Sequence, residues 1–400
     1  MSCLDSTAGF SNASLHKPTD NIKEVDESTF NSSFGIVLTC LGCVVGFGNI
    51  WRFPRILATY SYDKGSLTFY MVWVIVLYLW SVPIVIVEYT MGRFTRNSVA
   101  ASFHKFFGDK FAWIGGWITS VTFFLRCMNE TDKIDLQEKK IYGKQLTSNK
   151  CEQIKQNYQN IVKTIYKGSL KDPEMWIAAA SQNAFDTGAG IGALATFAAF
   201  MSRQRGAVRY GTIIPMLNNL VSFISSITVF STVFATLIQN TPTLTRLGIV
   251  KIMQLTGPGS TGLTFIWFPV LFESLGIFGR IVCLLFFICL TVAGLSTTIS
   301  DLEVYTMVLD DCGVSHRKSV AIALIANILV GLPSALNLNI LANQDNVWGI
   351  ALLISGILMA SLVIRYGPMK YRRYIVNEFG IDDWNLPKVW IFMITLVTFN

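Results

Sequence analysis

Two short runs set glycines at close intervals beside a side chain that carries an oxygen. One reads Gly42-Cys43-Val44-Val45-Gly46-Phe47-Gly48-Asn49, the other Asp186-Thr187-Gly188-Ala189-Gly190-Ile191-Gly192. Each glycine weakens a helix by about 1 kcal/mol relative to alanine, so these stretches unwind where their neighbours do not. Carbonyls exposed at the end of a first half-helix attract a cation, and amides that open the second half attract an anion such as a carboxylate. Asn49 and Asp186 add the oxygen donors that suit a hard cation. The blander reading is that the glycines only let helices approach closely. An amide and an acid inside two otherwise apolar stretches favour binding, because polar groups at membrane depth are functional by default.

The elements that carry these runs follow from composition. The chain has 400 residues, 52% hydrophobic and 14% charged, with formal net charge +7 and mean hydropathy +0.47. Charge is concentrated, with 7 charged residues in 1–33 and 16 in 126–172. What remains includes the neutral runs Leu67–Val87, Tyr210–Thr245, Ile281–Ser300, Ser319–Gln344 and Asn346–Ile364. Each is near or above the roughly 18–20 residues that cross a bilayer. The pattern excludes a disordered or ordinary soluble chain and predicts an all-α polytopic membrane protein. Spans are expected at 34–58, 67–92, 111–125, 174–201, 208–240, 277–309, 318–339 and 346–366, with an unfinished one from 389. The polar start, with Asp5, Asp20, Glu24, Asp26 and Glu27, is no signal peptide.

A cytoplasmic N-terminus puts Arg93, Arg96, Lys105, Lys110, Arg203, Arg205, Arg209, Arg317, Lys318, Arg365, Lys370, Arg372 and Arg373 in inner loops. That obeys the positive-inside rule, provided the short 111–125 segment crosses. The basic excess is therefore a membrane signature and not a nucleic-acid one. Residues 126–172 would lie outside as a polar helix or a disordered loop, with Asn129-Glu130-Thr131 as a glycosylation acceptor.

Gly46-Phe47-Gly48-Asn49-Ile50-Trp51-Arg52-Phe53-Pro54 resembles the first-span signature of the neurotransmitter:sodium symporter family, whose members move amino acids or monoamines with sodium. The likeness extends to Pro83, Glu88 and Met91-Gly92-Arg93, to Trp176-Ile177-Ala178-Ala179 and Gln182 through Gly190, and to Ala293-Gly294-Leu295-Ser296-Thr297-Thr298. It covers roughly residues 28–125 and 170–400, and the Gln182–Gly190 run is more like a microbial-type branch. The resemblance implies a broken-helix, 5+5 inverted-repeat symporter fold and sodium-coupled uptake by alternating access.

Carried over by motif, one sodium would be held by the Val44 carbonyl, Asn49, Asp186 and Asn218. A second would lie between the Gly42 and Val45 carbonyls and Ala293, Ser296 and Thr297, although membrane Ser and Thr commonly bond their own backbone. Gly46 leaves room for a substrate carboxylate at the Phe47 and Gly48 amides, where amine carriers of the family place Asp. The amine would face carbonyls near Val44 and Phe185, and the side chain would meet Phe185, Gly188, Ile191 and Thr297. Asp301, one turn beyond Thr297, would border that pocket and favour a basic amino acid, or else pair with another buried polar group. Asp186 stands where many relatives have Ser or Thr. Its fixed charge would replace the chloride that other relatives hold near Gln182 and Ser222, so chloride independence is expected. Arg52 and Asp345 resemble the outer gate pair. Asp311 matches the inner acid, whose basic partner is replaced here by Glu27 or supplied by Lys23.

Other motifs carry less. Cys40-Leu41-Gly42-Cys43 reads as helix packing, and His16, His104 and His316 are too scattered for a metal site. In animal relatives a disulfide closes the outer loop, which here would be Cys127 with Cys151. No enzyme motif is present.

The resemblance divides the chain into a cytoplasmic tail (1–33), a partial first repeat (34–125), the polar outer loop (126–172), a second repeat (173–366), and an inner loop with a cut-short eleventh span (367–400). Part of span three and all of spans four and five are missing from the family pattern, with them a tyrosine that binds the substrate carboxylate. Two readings stay open: an incomplete product of a working plasma-membrane symporter, or a transport-inactive paralogue that binds or regulates. A homo-oligomer would cover the open flank.

Overall fold

A computed structural model describes residues 33–46, 48–60, 66–131, 172–201, 206–240, 268–273, 276–336, 338–380 and 383–399. The described residues are helical throughout apart from turns and short connections. The expectations for residues 1–32, Phe47, Cys151 and most of the polar loop fall outside them. So do the side chains of Asn129 and Asp345.

The first span is broken. Helix α1 (Ser33–Val44) stops at Val45-Gly46, and the chain resumes as a π-helical turn over Gly48–Arg52 that runs into α2 (Phe53–Tyr60). The two halves are bent by 65°. Pro54, the second residue of α2, follows this π-turn closely and has no N–H to continue a regular ladder back into it. Helix α3 (Ser66–Val76), a π-turn (Leu77–Ser81) and α4 (Val82–Thr95) form one 30-residue span. Its π-turn ends two residues before Pro83, whose ring cannot continue a regular hydrogen-bond ladder. Ser98 caps α5 (Val99–Phe107), its hydroxyl accepting from the Ala101 amide at 3.4 Å. Helix α6 (Asp109–Thr131) follows.

The second break lies between α7 (Pro173–Thr187) and α8 (Ala193–Ala199). Asp172 caps α7 by accepting from the Glu174 amide at 3.1 Å, with proline at the first helical position. Gly188, Gly190 and Gly192 take positive φ of 71°, 91° and 82°, which ends one helix and starts the next. Then come α9 (Ala207–Asn240), α10 (Phe268–Glu273), α11 (Gly276–Asp311), α12 (His316–Leu336) and α13 (Leu338–Tyr366). A short α14 (Pro368–Lys370) continues into a π-helical stretch (Tyr371–Glu378), and α15 (Val389–Phe399) is the last described helix.

By length and apolar composition, Ser66–Thr95, Ala207–Phe234, Gly276–Asp311 and Val347–Tyr366 cross a membrane, and the bent pair Val37–Val44 with Gly48–Tyr60 is a fifth span. The helix that carries the expected short span 111–125 does not end at Leu125: α6 has 23 residues, about 34 Å at 1.5 Å per residue. Polarity from Arg126 onward marks where apolar sequence stops, which is not where a helix must stop. The same applies at the start of α13, eight residues before the expected Asn346.

Helix α4 is the hub. Between lipid-facing helices there is no hydrophobic drive to associate, so close packing of small residues has to supply the cohesion. A Cβ on Gly92 would run into the Ala195 backbone of α8, one on Gly211 of α9 would reach Ile86 at 2.9 Å, and one on Gly356 of α13 would meet Ile84 at 3.0 Å. Ile84, Val85, Val87, Tyr89 and Met91 are fully buried there. Helix α11 is the opposite case: only 11% of its most apolar window is buried, and Ile277, Leu284, Val292 and Ile299 form a face that meets hydrocarbon.

Candidate ion and substrate site

The two breaks meet. The space beside Gly188 is bounded by Val44 Cγ1, and a Cβ on Gly48 would lie 2.9 Å from Asp186 Oδ1. The side chains of α9 meet both breaks there. The Gly46 amide donates to Asn49 Oδ1 at 2.9 Å. Asn49 Nδ2 donates to Asn218 Oδ1 at 2.9 Å and to Ser222 Oγ at 2.8 Å. Ser222 Oγ donates in turn to Asp186 Oδ2 at 3.1 Å. The network continues as Asn219 Nδ2 donates to Asn183 Oδ1 at 3.0 Å, and Asn183 Nδ2 to the Trp73 carbonyl at 2.8 Å. Asn49, Asn218, Ser222, Gln182 and Asn183 are fully buried, and Asp186 is 1% exposed.

Asp186 Oδ1 has no hydrogen-bond partner among the described residues. A carboxylate in this position costs several kcal/mol without a counter-charge. The surrounding donor set is carboxylate, amide and hydroxyl oxygen, which fits a hard cation and not a soft one. Asn49, Asp186 and Asn218 of the first expected ion set are therefore brought together, with Val44 at the adjoining bend.

The second expected set is partly joined. Ser296 Oγ donates to the Gly42 carbonyl at 3.3 Å, and a Cβ on Gly46 would lie 3.2 Å from Thr297 Oγ1. Thr297 Oγ1 itself donates to the Ala293 carbonyl at 3.1 Å. Val45 is half-buried at the end of α1, with its amide on the Leu41 carbonyl at 2.7 Å.

Around the expected substrate volume, Ile191 is fully buried, and Phe185 is half-buried under the Arg52 guanidinium, 3.7 Å from its ring centroid. Arg52 Nη1 donates to Gln182 Oε1 at 3.0 Å, so the arginine expected at the outer gate bridges the two broken spans. Asp345 lies on α13, where Gly349 packs against the Phe185 ring. Asp301 is 1% exposed on α11, one turn past Thr297. Asp311 is remote from all of these: its Oδ2 accepts from the Ser98 amide at 2.8 Å and ties the end of α11 to the start of α5.

Glu88 takes a part in the site that its sequence motif does not disclose. It is fully buried, and its Oε1 accepts from the Gly190 amide at 2.7 Å, holding the second break. An acid directly after the neutral run Leu67–Val87 is the signal that marks it. Asn183 and Asn219 gave no comparable signal, because one polar residue in an apolar helix does not reveal its partner.

Fold and site together define a multi-pass helical membrane protein whose two broken spans share one polar centre. The chain matches the family model described as Sodium:neurotransmitter symporter family over residues 27–129 and 157–399, and it belongs to that family. The stretch the family model passes over, 130–156, falls inside the charged polar segment. Among curated proteins, the sodium-dependent transporter snf-5 of Caenorhabditis elegans is 35% identical over 83 residues, 21% of this chain and 11% of that protein. The sodium-dependent nutrient amino acid transporter 1 of Drosophila erecta is 33% identical over 90 residues, 22% of this chain and 13% of that protein. These matches thus span only a small part of those relatives' length. The structure of MhsT in complex with L-phenylalanine aligns with a TM-score of 0.63 at 20% identity, covering 93% of this chain and 100% of that one. That likeness establishes the all-α broken-helix fold expected from the sequence.

Proposed function

We propose that this protein is a sodium-coupled symporter of amino acids in the plasma membrane. The observation that carries the reading is Asp186, buried where the two breaks meet, with one oxygen lacking a hydrogen-bond partner among the described residues and Asn49, Asn218 and Ser222 around it. A sodium ion held by Asp186, Asn49, Asn218 and the Val44 carbonyl adds its charge to that of Arg52, which already acts on Asp186. A second ion takes the Gly42 and Val45 carbonyls with Ala293, Ser296 and Thr297. The substrate carboxylate lies at the Phe47 and Gly48 amides beside Gly46. Its amine lies near Val44 and Phe185, and its side chain lies among Phe185, Gly188, Ile191 and Thr297. Asp301 favours a basic side chain. Arg52, already over Phe185, closes the outer side with Asp345, and Asp311 serves the inner side. The amino-acid class is supported by the name of the Drosophila relative. Chloride is not required in this reading, because Asp186 already provides a fixed negative charge next to Ser222.

The test is uptake into proteoliposomes that hold the purified 400-residue chain. Uptake is expected to follow an inward sodium gradient, to persist when chloride is exchanged for gluconate, and to be competed by lysine more than by leucine. Collapse in gluconate removes the chloride statement. Leucine preference unchanged in Asp301→Ala removes the basic-substrate statement. Equal uptake with and without the sodium gradient removes the symport reading itself.

A further inference from the structure

An unwound stretch has no i to i−4 ladder, so its shape is set by the groups that hold its peptides from outside. In the second break, Gly190 donates its amide to Glu88 of α4 at 2.7 Å. The next residue is held from another helix. Thr122 of α6, fully buried, donates its hydroxyl to the Ile191 carbonyl at 2.6 Å. The same hydroxyl also lies 2.9 Å from the Ile118 carbonyl one turn back, the bond a membrane threonine ordinarily makes. The contact to the break is the shorter of the two. Helix α11 braces this arrangement: Tyr305 donates its hydroxyl to the Thr122 carbonyl at 3.2 Å, and its ring stands edge-on to Phe123 at 5.1 Å and 84°. Successive residues of the break are therefore fixed from two sides, an amide by α4 and a carbonyl by α6 and α11.

We propose that Thr122 is a positioning residue for the ion and substrate site, with Tyr305 as its brace. Its hydroxyl sets the peptide of Ile191, and through it the turn that follows Phe185 and Asp186. This rests on the symport reading for what the site binds, but the positioning itself does not depend on transport. If broken spans rock against their neighbours during transport, the Thr122 bond to Ile191 has to be carried or broken in each cycle.

The experiment combines hydrogen–deuterium exchange on the full chain in lipid nanodiscs with uptake kinetics in proteoliposomes. Wild type, Thr122→Val, Thr122→Ser and Tyr305→Phe are compared. Loss of one net hydrogen bond corresponds to roughly five- to tenfold in an opening equilibrium. Thr122→Val is expected to speed exchange in peptides covering 186–194 by about that factor, with peptides of α4 unchanged. Thr122→Ser, which keeps the hydroxyl, stays within about twofold of wild type, and Tyr305→Phe falls between. The same order is expected in the substrate concentration for half-maximal uptake, with the maximal rate changing less. Exchange at 186–194 unchanged in Thr122→Val, or equally fast in Thr122→Ser, overturns the proposal. If Thr122→Val does not fold, Tyr305→Phe carries the same test: no faster exchange at the break rejects it. Absence of uptake by wild type would reject the symport reading alone, while the exchange data still decide the positioning role.

Discussion

A carboxylate at membrane depth sets the residue-scale problem. Insertion scales charge about 2.5–3.5 kcal/mol for an aspartate at a helix centre, and Ser222 satisfies only one oxygen of Asp186. If a cation completes the shell, Asp186→Asn keeps the shape and removes the charge. The sodium concentration for half-maximal uptake is then expected to rise at least about tenfold, read from uptake against sodium concentration; an unchanged value argues that Asp186 pairs with something else. Outside the membrane, the first residue of α12 titrates. His316 Nδ1 lies 2.9 Å from Asp310 Oδ2. That hydrogen bond and the Asp310 charge, with a smaller contribution from Glu303, raise the imidazole pKa above its ordinary value. A raised folded-state pKa favours the folded protein most below the unfolded value near 6.5, and the benefit fades as pH rises through the folded value. NMR titration is expected to place His316 above 6.5, and Asp310→Asn to lower it toward that value.

At the scale of elements, the helices are held by glycine contacts. Gly92 sits inside α4, where alanine ordinarily gains about 1 kcal/mol of helix propensity. Here the added methyl runs into the Ala195 backbone, and overpacking costs about 1–3 kcal/mol. The second term wins, so Gly92→Ala is expected to lower the thermal midpoint in detergent, and a higher midpoint would mean that α4 and α8 are not in backbone contact. Both breaks were legible in the sequence because glycine spacing next to Asn49 and Asp186 is a local signal. The extent of α6 was not, since hydropathy reports where lipid-compatible sequence ends and Arg126 to Thr131 continue the helix beyond it. The Thr122 and Glu88 contacts to the break were illegible for a different reason. They join residues 69 and 102 positions apart, and only packing decides which carbonyl or amide each side chain meets. The polar centre was half legible: the resemblance supplied Asn49, Asp186 and Asn218, but not the Asn183–Asn219 extension.

For the whole molecule, the proposed function requires that two broken spans and α9 build one site in which sodium and an amino acid support each other. The exposed apolar faces of α11 and α12 say that lipid completes the fold, so the measurement belongs in a bilayer or nanodisc. The most direct one is equilibrium binding of a radiolabelled amino acid, lysine first, to the purified full chain as sodium replaces potassium at constant ionic strength. The expected result is an affinity that rises at least about tenfold with sodium, and an Asp186→Ala variant in which sodium no longer has that effect. Binding of equal strength in sodium and potassium would contradict the account.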